Sequence, residues 1–326
     1  MIYLTDYINE ADLEKQILGN KLRCFGDENV DKKAIEVLLV WHFLVNKESL
    51  KDYPNVKAIV RYGVGFDNID LNYCKNNNIK VFNNPDYGVD EVSDTALAMI
   101  MHFSRCLGFY NNKSRSLVKE PNHINPWQEN TNINAIRLKS MTLGLVGAGR
   151  IASSLALKMK NIIGDIDFYD PYVPAGYEKV LGASRHNKLE SLLSNADIVS
   201  IHTPLTEETK GLINQDFIDS MKHGSILINT ARGGLLSSHS LLYDALSSGK
   251  ISAVGLDVLP EEPPVLNTKD KFLASWIDLK SEFADRIIIN PHTAYYSAES
   301  YQEMRNKAAI MALKALSNSQ IQNRIV

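Results

Sequence analysis

A chain of 326 residues is long enough for about two domains, and a composition 44% hydrophobic and 22% charged is that of an ordinary globular protein able to bury a core. Its 35 Lys and Arg against 38 Asp and Glu leave a formal net charge of −3 without a dense basic cluster, which argues against nucleic acid as a direct partner. No apolar run approaches the roughly 18 residues of a membrane span, Met1 to Asp6 lacks the basic start of a leader, and Cys24, Cys74 and Cys106 are far apart without C-x-x-C spacing. The expectation is a cytoplasmic protein with reduced thiols and no metal centre.

The first hundred residues alternate short apolar runs with helical stretches: Ile2 to Leu4, Leu22 to Phe25, Val37 to Trp41, Ala58 to Val60, and Val81-Phe82. Such alternation predicts a parallel sheet with helices on both faces. Between the last two runs, Gly63 and Gly65 flank Val64 at a strand end. This is either a tight turn or a loop whose Val64 and Gly65 N–H groups hold a carboxylate. Val89 to Asp94 reads as the acidic first turn of a long helix through Leu97, Ile100, Met101, Phe103 and Leu107, expected to cross from one domain to the other. Asn111 to Asn134, polar and carrying Pro121, Pro126 and Trp127, predicts an extended connection or subunit-contact arm.

Met141 to Asp170 carries the most specific local pattern. Leu143 to Val146 predicts a buried strand, Gly147-Ala148-Gly149 a turn free of obstructing side chains, and Arg150 the start of a helix with an apolar face of Ile151, Leu155, Leu157, Met159 and Ile163. A free helix N-terminus favours phosphate. A second strand, Ile166 to Tyr169, ends in Asp170, where dinucleotide-binding folds place the acid that accepts the ribose hydroxyls, roughly twenty residues past the glycines. Asp170 without an Arg nearby favours NAD over NADP, because a ribose phosphate wants a cation.

The alternation then continues through a helix at Leu189 to Leu193, a strand at Asp197 to Ile201, a helix at Asp216 to Met221 and a strand at Ile226 to Asn229. A helix at Leu241 to Leu246 and strands at Ala253 to Leu256 and Ile287 to Ile289 follow. Together these predict a six-stranded doubly wound sheet. Pro260 to Asp285 is long for a connection and predicts a helix around Phe272 to Trp276. Ligands of such sheets lie at the carboxyl ends of the strands, where His202-Thr203-Pro204, Thr230-Ala231-Arg232, Asp257 and His292 fall. Arg232, Glu262 and His292 suit hydride-transfer chemistry: an imidazole to move the proton, a carboxylate to orient it, and a guanidinium fork for a substrate carboxylate.

At these residues the chain resembles the D-isomer-specific 2-hydroxyacid dehydrogenases, over RYGVGFDNID, NNPDYGVDEVSDTALAMIM, TLGLVGAGRIA, ADIVSIHTPLTEETKGLI, INTARGGLL, GLDVLPEEPP and NPHTAYYS in the family's order. PDYGVDEVSDTAL and PHTAYYSAES look most like the subgroup of C-terminal binding proteins and phosphoglycerate dehydrogenase-like relatives. The resemblance implies that Arg232 binds substrate, Glu262 rather than Glu261 is the catalytic carboxylate, and His292 is the acid/base. It also implies that Gly147, Gly149, Arg150, Ile151, Asp170, Thr203, Thr230, Ala231 and Asp257 contact NAD, and that Val64 and Gly65 bind the substrate carboxylate. The fold it implies is an α/β protein with a doubly wound (Rossmann) NAD-binding domain, 105–293, and a smaller discontinuous flavodoxin-like α/β substrate domain, 1–104 with 294–326. A C-terminal helix, Ala298 to Leu316, would return to the N-terminal sheet. The implied partners are a small 2-hydroxy or 2-oxo acid and a second copy in a homodimer. Ser237-Ser238 stand near where the family commonly has Asp, Val92-Ser93-Asp94 replaces Val-Ala-Glu, and Trp127, Tyr295 and Tyr296 either shape the pocket or pack. An NAD(H)-sensing, corepressor-like interaction protein is the alternative. A formate-type dehydrogenase fits less well, because that branch generally carries Gln at the position of Glu262.

Overall fold

The computed structural model describes residues 1–6, 8, 11–119, 127, 131, 135–265 and 270–326. It divides into two compact units, residues 1–88 with 295–326 and residues 89–294. The first boundary lies at 88/89 instead of the expected 104. The helix that opens at Val89 packs its Ala96, Met99, Ile100 and Phe103 into the core of the second unit, so it belongs there from its first turn.

The first unit begins with β1 (Ile2–Leu4), α1 (Asp12–Leu18), β2 (Leu22–Cys24), β3 (Val37–Val40), α2 (Lys47–Leu50), β4 (Ala58–Arg61), α3 (Leu71–Asn76) and β5 (Lys80–Phe82). All strand pairs are parallel, in the order β2-β1-β3-β4-β5, a flavodoxin-like winding. Val37 to Val40 is buried at every position, as expected of a strand covered on both faces.

The second unit runs through α4 (Val89–Ser104), α5 (Leu107–Lys119), β6 (Thr142–Val146), α6 (Arg150–Met159), β7 (Asp165–Tyr169), α7 (Tyr177–Leu181) and β8 (Ser184–Arg185). It continues through α8 (Leu189–Asn195), β9 (Ile198–Ile201), α9 (Gln215–Ser220), β10 (Ser225–Asn229), α10 (His239–Ser247), β11 (Ile251–Leu256), α11 (Lys271–Ile277) and β12 (Ile287–Ile289). Among the described residues its parallel sheet has seven strands, in the order β12-β11-β10-β9-β6-β7-β8. The strand beyond the predicted six is β8, two residues paired with Asp167 and Phe168 at the sheet edge, too short to leave a periodic signal.

Three further expectations need correction. The long helix ends at Ser104, and Cys106 adopts a left-handed backbone with φ 50° before α5 begins. Residues 107–119 then form a helix instead of an extended arm, since no proline interrupts them before Pro121. Of the remainder of that segment, 120–126, 128–130 and 132–134 lie outside the described residues, as do 266–269 in the 260–285 connection. On α6 the buried face is Ala152, Leu155, Ala156 and Met159; Leu157 is 62% exposed, and Ile163 is buried beyond the helix end. Leu157 lies two positions from both Leu155 and Met159, a spacing that turns it to the opposite face.

The last helix, α12 (Ala298–Leu316), returns to the first unit and buries Met304, Ala308, Ala309 and Ala312 against Ile2, Leu4, Val37, Leu39 and Val60. Glu14 on α1 is fully buried. Arg305 of α12 satisfies it bidentately at 2.9 and 2.5 Å, and the Tyr62 hydroxyl donates to it at 3.0 Å. A buried charge needs such pairing. Burial and the adjacent carboxylate push the Tyr62 phenol well above its ordinary range, so it stays a donor. Among the described residues no helix is long and apolar enough to cross a membrane.

Candidate functional site

The glycine turn is where sequence acts most directly on geometry. Gly147 has φ 90°, and a Cβ there would lie 2.8 Å from the His202 carbonyl oxygen, so this glycine is required by the protein itself. Gly149 differs. Its φ of −74° suits any residue and a Cβ would meet nothing within 4 Å, leaving the backbone at the start of α6 open to a ligand. Gly149→Val is therefore expected to weaken cofactor affinity at least tenfold while shifting the melting temperature little; Gly147→Val is expected to lower the melting temperature itself. Calorimetry paired with a fluorescence titration of the dinucleotide separates the two, and equal thermal loss in both variants would contradict it.

Asp170 follows β7 directly. One carboxylate oxygen accepts the Ala148 N–H and the other the Tyr172 N–H, both at 2.8 Å, so the acid is fixed against the glycine turn with lone pairs to spare. The expectation of no nearby Arg needs correction. Arg185, the last residue of the unforeseen β8, reaches this loop, but its guanidinium is spent on the carbonyls of Asp170, Val173 and Pro174 at 2.9–3.2 Å. It orders the loop from behind its main chain.

At the carboxyl ends of β9 and β10 two hydroxyls, Thr203 Oγ1 and Thr230 Oγ1, are buried without a partner among the described residues. Buried hydroxyls are ordinarily bonded, so these point to a ligand that would complete them. They fit the dinucleotide implied by the glycine turn. His202, immediately before Thr203 at the end of β9, bonds Ser200 Oγ through Nε2 at 2.9 Å, and desolvation pushes it down to about 4, so it is neutral at pH 7.

Arg232 is presented by a turn built on Asn229, the fully buried last residue of β10. The Asn229 amide oxygen accepts from Ala231 N and its nitrogen donates to Arg232 O, both at 3.0 Å. Gly233 then lies so close to the Leu259 carbonyl that a Cβ would come within 1.8 Å, which presses the Arg232 turn onto the segment leading to Glu262. Neither Asn229 nor Gly233 was singled out in the sequence. The signal available was their place on either side of Thr-Ala-Arg.

The Glu262 carboxylate accepts the Leu259 N–H through Oε1 at 2.8 Å and meets His292 Nδ1 through Oε2 at 2.7 Å. Glu261 is exposed, and the Glu262-Pro263 peptide is cis. Burial pushes Glu262 up, but the His292 hydrogen bond, the Leu259 N–H and the charges of His292 and Arg232 outweigh it, holding the carboxyl below its usual range. His292 follows β12 with φ 55°, and its N–H donates to the Asp257 carbonyl at 2.9 Å. The Asp257 carboxylate accepts the N–H groups of Thr293 and Ala294 at 3.0 and 2.9 Å, locking the backbone just past the imidazole. Burial raises the Asp257 carboxyl, against those hydrogen bonds and the His292 charge. With Nδ1 on the carboxylate, Nε2 is the ring atom left to exchange a proton with a ligand.

Arg232, Glu262, His292 and the expected cofactor contacts all belong to the second unit; Val64 and Gly65 belong to the first. There the loop after β4 is tied down by Asn83, which donates to the Val64 carbonyl at 2.7 Å. Asn68 donates to the carbonyls of Trp41 and Phe43 at 3.3 and 2.9 Å. Tyr295 packs edge-on to Tyr87 and Tyr296 is 57% exposed, both also in the first unit, while Trp127 is 60% exposed. Ser238 caps α10 by accepting from Leu241 N, which accounts for a serine near the family's aspartate. Ser93 and Asp94 bind Lys158 of α6 at 2.8 and 2.7 Å, joining α4 to α6. Among the described residues no group of three His, Cys, Asp or Glu is placed to hold a metal ion.

Residues 97–294 match the model of the D-isomer specific 2-hydroxyacid dehydrogenase NAD binding domain. The chain is 32% identical to a hydroxypyruvate reductase of Thermotoga maritima over 80% of its length and 78% of that protein's. It is 29% identical to C-terminal-binding protein 1 of Caenorhabditis elegans over 89% of its own length, spanning 38% of that longer relative. Among solved structures, a D-lactate dehydrogenase of Aquifex aeolicus, complexed with NAD and lactic acid, superimposes with TM-score 0.82 at 29% identity, covering 97% of this chain and 95% of that one. With its seven-stranded Rossmann sheet and this extent of similarity, the chain belongs to the D-isomer specific 2-hydroxyacid dehydrogenase family.

Proposed function

We propose that the protein is an NAD-dependent oxidoreductase interconverting a D-2-hydroxy acid and its 2-oxo acid. The observation that carries this reading is the 2.7 Å Glu262–His292 pair at the strand ends of an NAD-binding sheet that also bears Arg232. When bound, the reduced nicotinamide supplies the hydride. The protein's own part begins with the carboxylate of the 2-oxo acid, gripped by the Arg232 fork. Arg232 draws charge onto the carbonyl oxygen, and His292 donates its Nε2 proton to that oxygen as the alkoxide forms. Glu262 holds the ring by Nδ1 and stabilises the imidazolium before transfer. In oxidation the same nitrogen takes the hydroxyl proton.

Gly147, Gly149, Arg150 and Ile151 would hold the pyrophosphate, Asp170 the adenosine ribose, and Thr203, Thr230, Ala231 and Asp257 the remainder. Asp170, with Arg185 committed to main-chain carbonyls, supports NAD over NADP. The same reading makes the protein a cytoplasmic homodimer. A panel of 2-oxo acids with NADH, followed by nicotinamide absorbance, is expected to give turnover with at least one member. The likeness to C-terminal-binding protein 1 favours a second reading, an NAD(H)-sensing interaction protein. A silent panel together with cofactor-dependent assembly by light scattering would favour that one.

A further inference from the structure

The carboxyl edge of the second sheet carries an interaction that the proposed chemistry does not use. Tyr172, two residues past Asp170, donates its hydroxyl to Glu208, which lies in the loop after β9. In the sheet β6 stands between β7 and β9, so this bond spans the carboxyl end of β6, where the glycine turn sits. It completes a chain of hydrogen bonds: the Ala148 N–H to Asp170, the Tyr172 N–H to Asp170, and the Tyr172 hydroxyl to Glu208. The order reverses between β6 and β9, with β7 and β8 on one side and β10 to β12 on the other. Dinucleotides lie across such a switch point, their adenosine half on the β7 side marked by Asp170.

Both side chains are exposed, Tyr172 by 76%, so the bond is not a by-product of core packing. The hydrogen bond to Glu208 raises the Tyr172 phenol above its ordinary range, keeping the proton on the donor. Among the cations of these loops, Arg150 and Lys210 are exposed and Arg185 is spent on carbonyls.

We infer that Glu208, held in place by Tyr172, is a second cofactor-specificity residue: a carboxylate at the adenosine end of the crevice that, with Asp170, makes a 2′-phosphate meet two negative charges. The inference rests on the NAD reading above. A phosphate dianion several ångströms from one carboxylate in a largely aqueous setting loses about tenfold in affinity.

The test titrates wild type, Glu208→Gln and Tyr172→Phe with NADH and NADPH by fluorescence. Gln keeps an oxygen to accept the tyrosine hydroxyl and removes only the charge. Glu208→Gln is expected to raise the NADPH-to-NADH affinity ratio about tenfold, and Tyr172→Phe by a smaller factor because the carboxylate remains nearby. High salt should shrink the wild-type discrimination. An affinity ratio in Glu208→Gln equal to that of wild type overturns the inference. Wild type binding NADPH as tightly as NADH overturns the NAD reading instead, so the two failures are read from different proteins.

Discussion

Replacing His292 with alanine is expected to lower kcat for the best 2-oxo acid by about 10² to 10⁴, the usual contribution of general acid–base catalysis, with an unchanged melting temperature. Its side chain is 44% exposed and bonds Glu262, so little packing is lost. Residual turnover within about tenfold of wild type would show that the proton comes from elsewhere. Glu262→Gln provides the companion measurement. Because Glu262 is held below its ordinary value, its carboxylate stays ionised as pH falls to that range and is lost only below it. The glutamine variant retains an oxygen toward His292 but not the charge. Its kcat should fall while the cofactor affinity stays, a split that damage confined to the cofactor cleft would not give.

Substituting Arg232 by lysine should be nearly as costly and in a different way. Lysine retains the charge but not the planar fork, and its ammonium cannot bridge a carboxylate and the neighbouring carbonyl. The expected outcome is a fall of about 10² to 10³ in kcat/KM for the 2-oxo acid, carried by both KM and kcat, since the lost bonds serve substrate and transition state alike. NADH affinity measured without substrate should change by less than threefold. A fall in NADH affinity equal to the fall in kcat/KM would show that Arg232 organises the cofactor rather than the acid. Asn229 supports the same turn with both of its amide atoms, so Asn229→Ala should reproduce part of the Arg232 defect from a buried position.

Much of this arrangement was legible in the residues because the signals were dense. Apolar runs such as Val37 to Val40 and Ile226 to Ile228 mark covered parallel strands, and the change from Val146 to Gly147 marks a strand end. The polar residues immediately after strands could then be placed on one edge without any coordinates. What escaped was of two kinds. Some elements carry no periodic signal: β8 has two residues, and the break at Cys106 depends on a backbone angle that its side chain does not announce. Others exist only through long-range pairing. Arg185 becomes a neighbour of Asp170 only once β8 joins β7, and Glu14 reads as a solvated helix charge until Arg305 arrives to neutralise it. Leu157 shows the opposite error: a leucine on a helix adds to an apparent apolar face even when its angular position turns it to water.

The Glu14–Arg305 bridge joins positions 291 residues apart, and this separation sets an order of events during synthesis. The first sheet leaves the ribosome early, yet the helix that covers its face and neutralises its buried acid is translated only after the whole of 89–294. At ordinary elongation rates of ~5–20 residues per second, that delay is about 10–40 s. The second unit, continuous in sequence, completes its core first. Through that interval Ile2, Leu4, Val37 and Val60 wait without Met304 and Ala308. A nascent chain of this protein thus presents an apolar sheet to chaperones for tens of seconds, and truncation within α12 would make that state permanent.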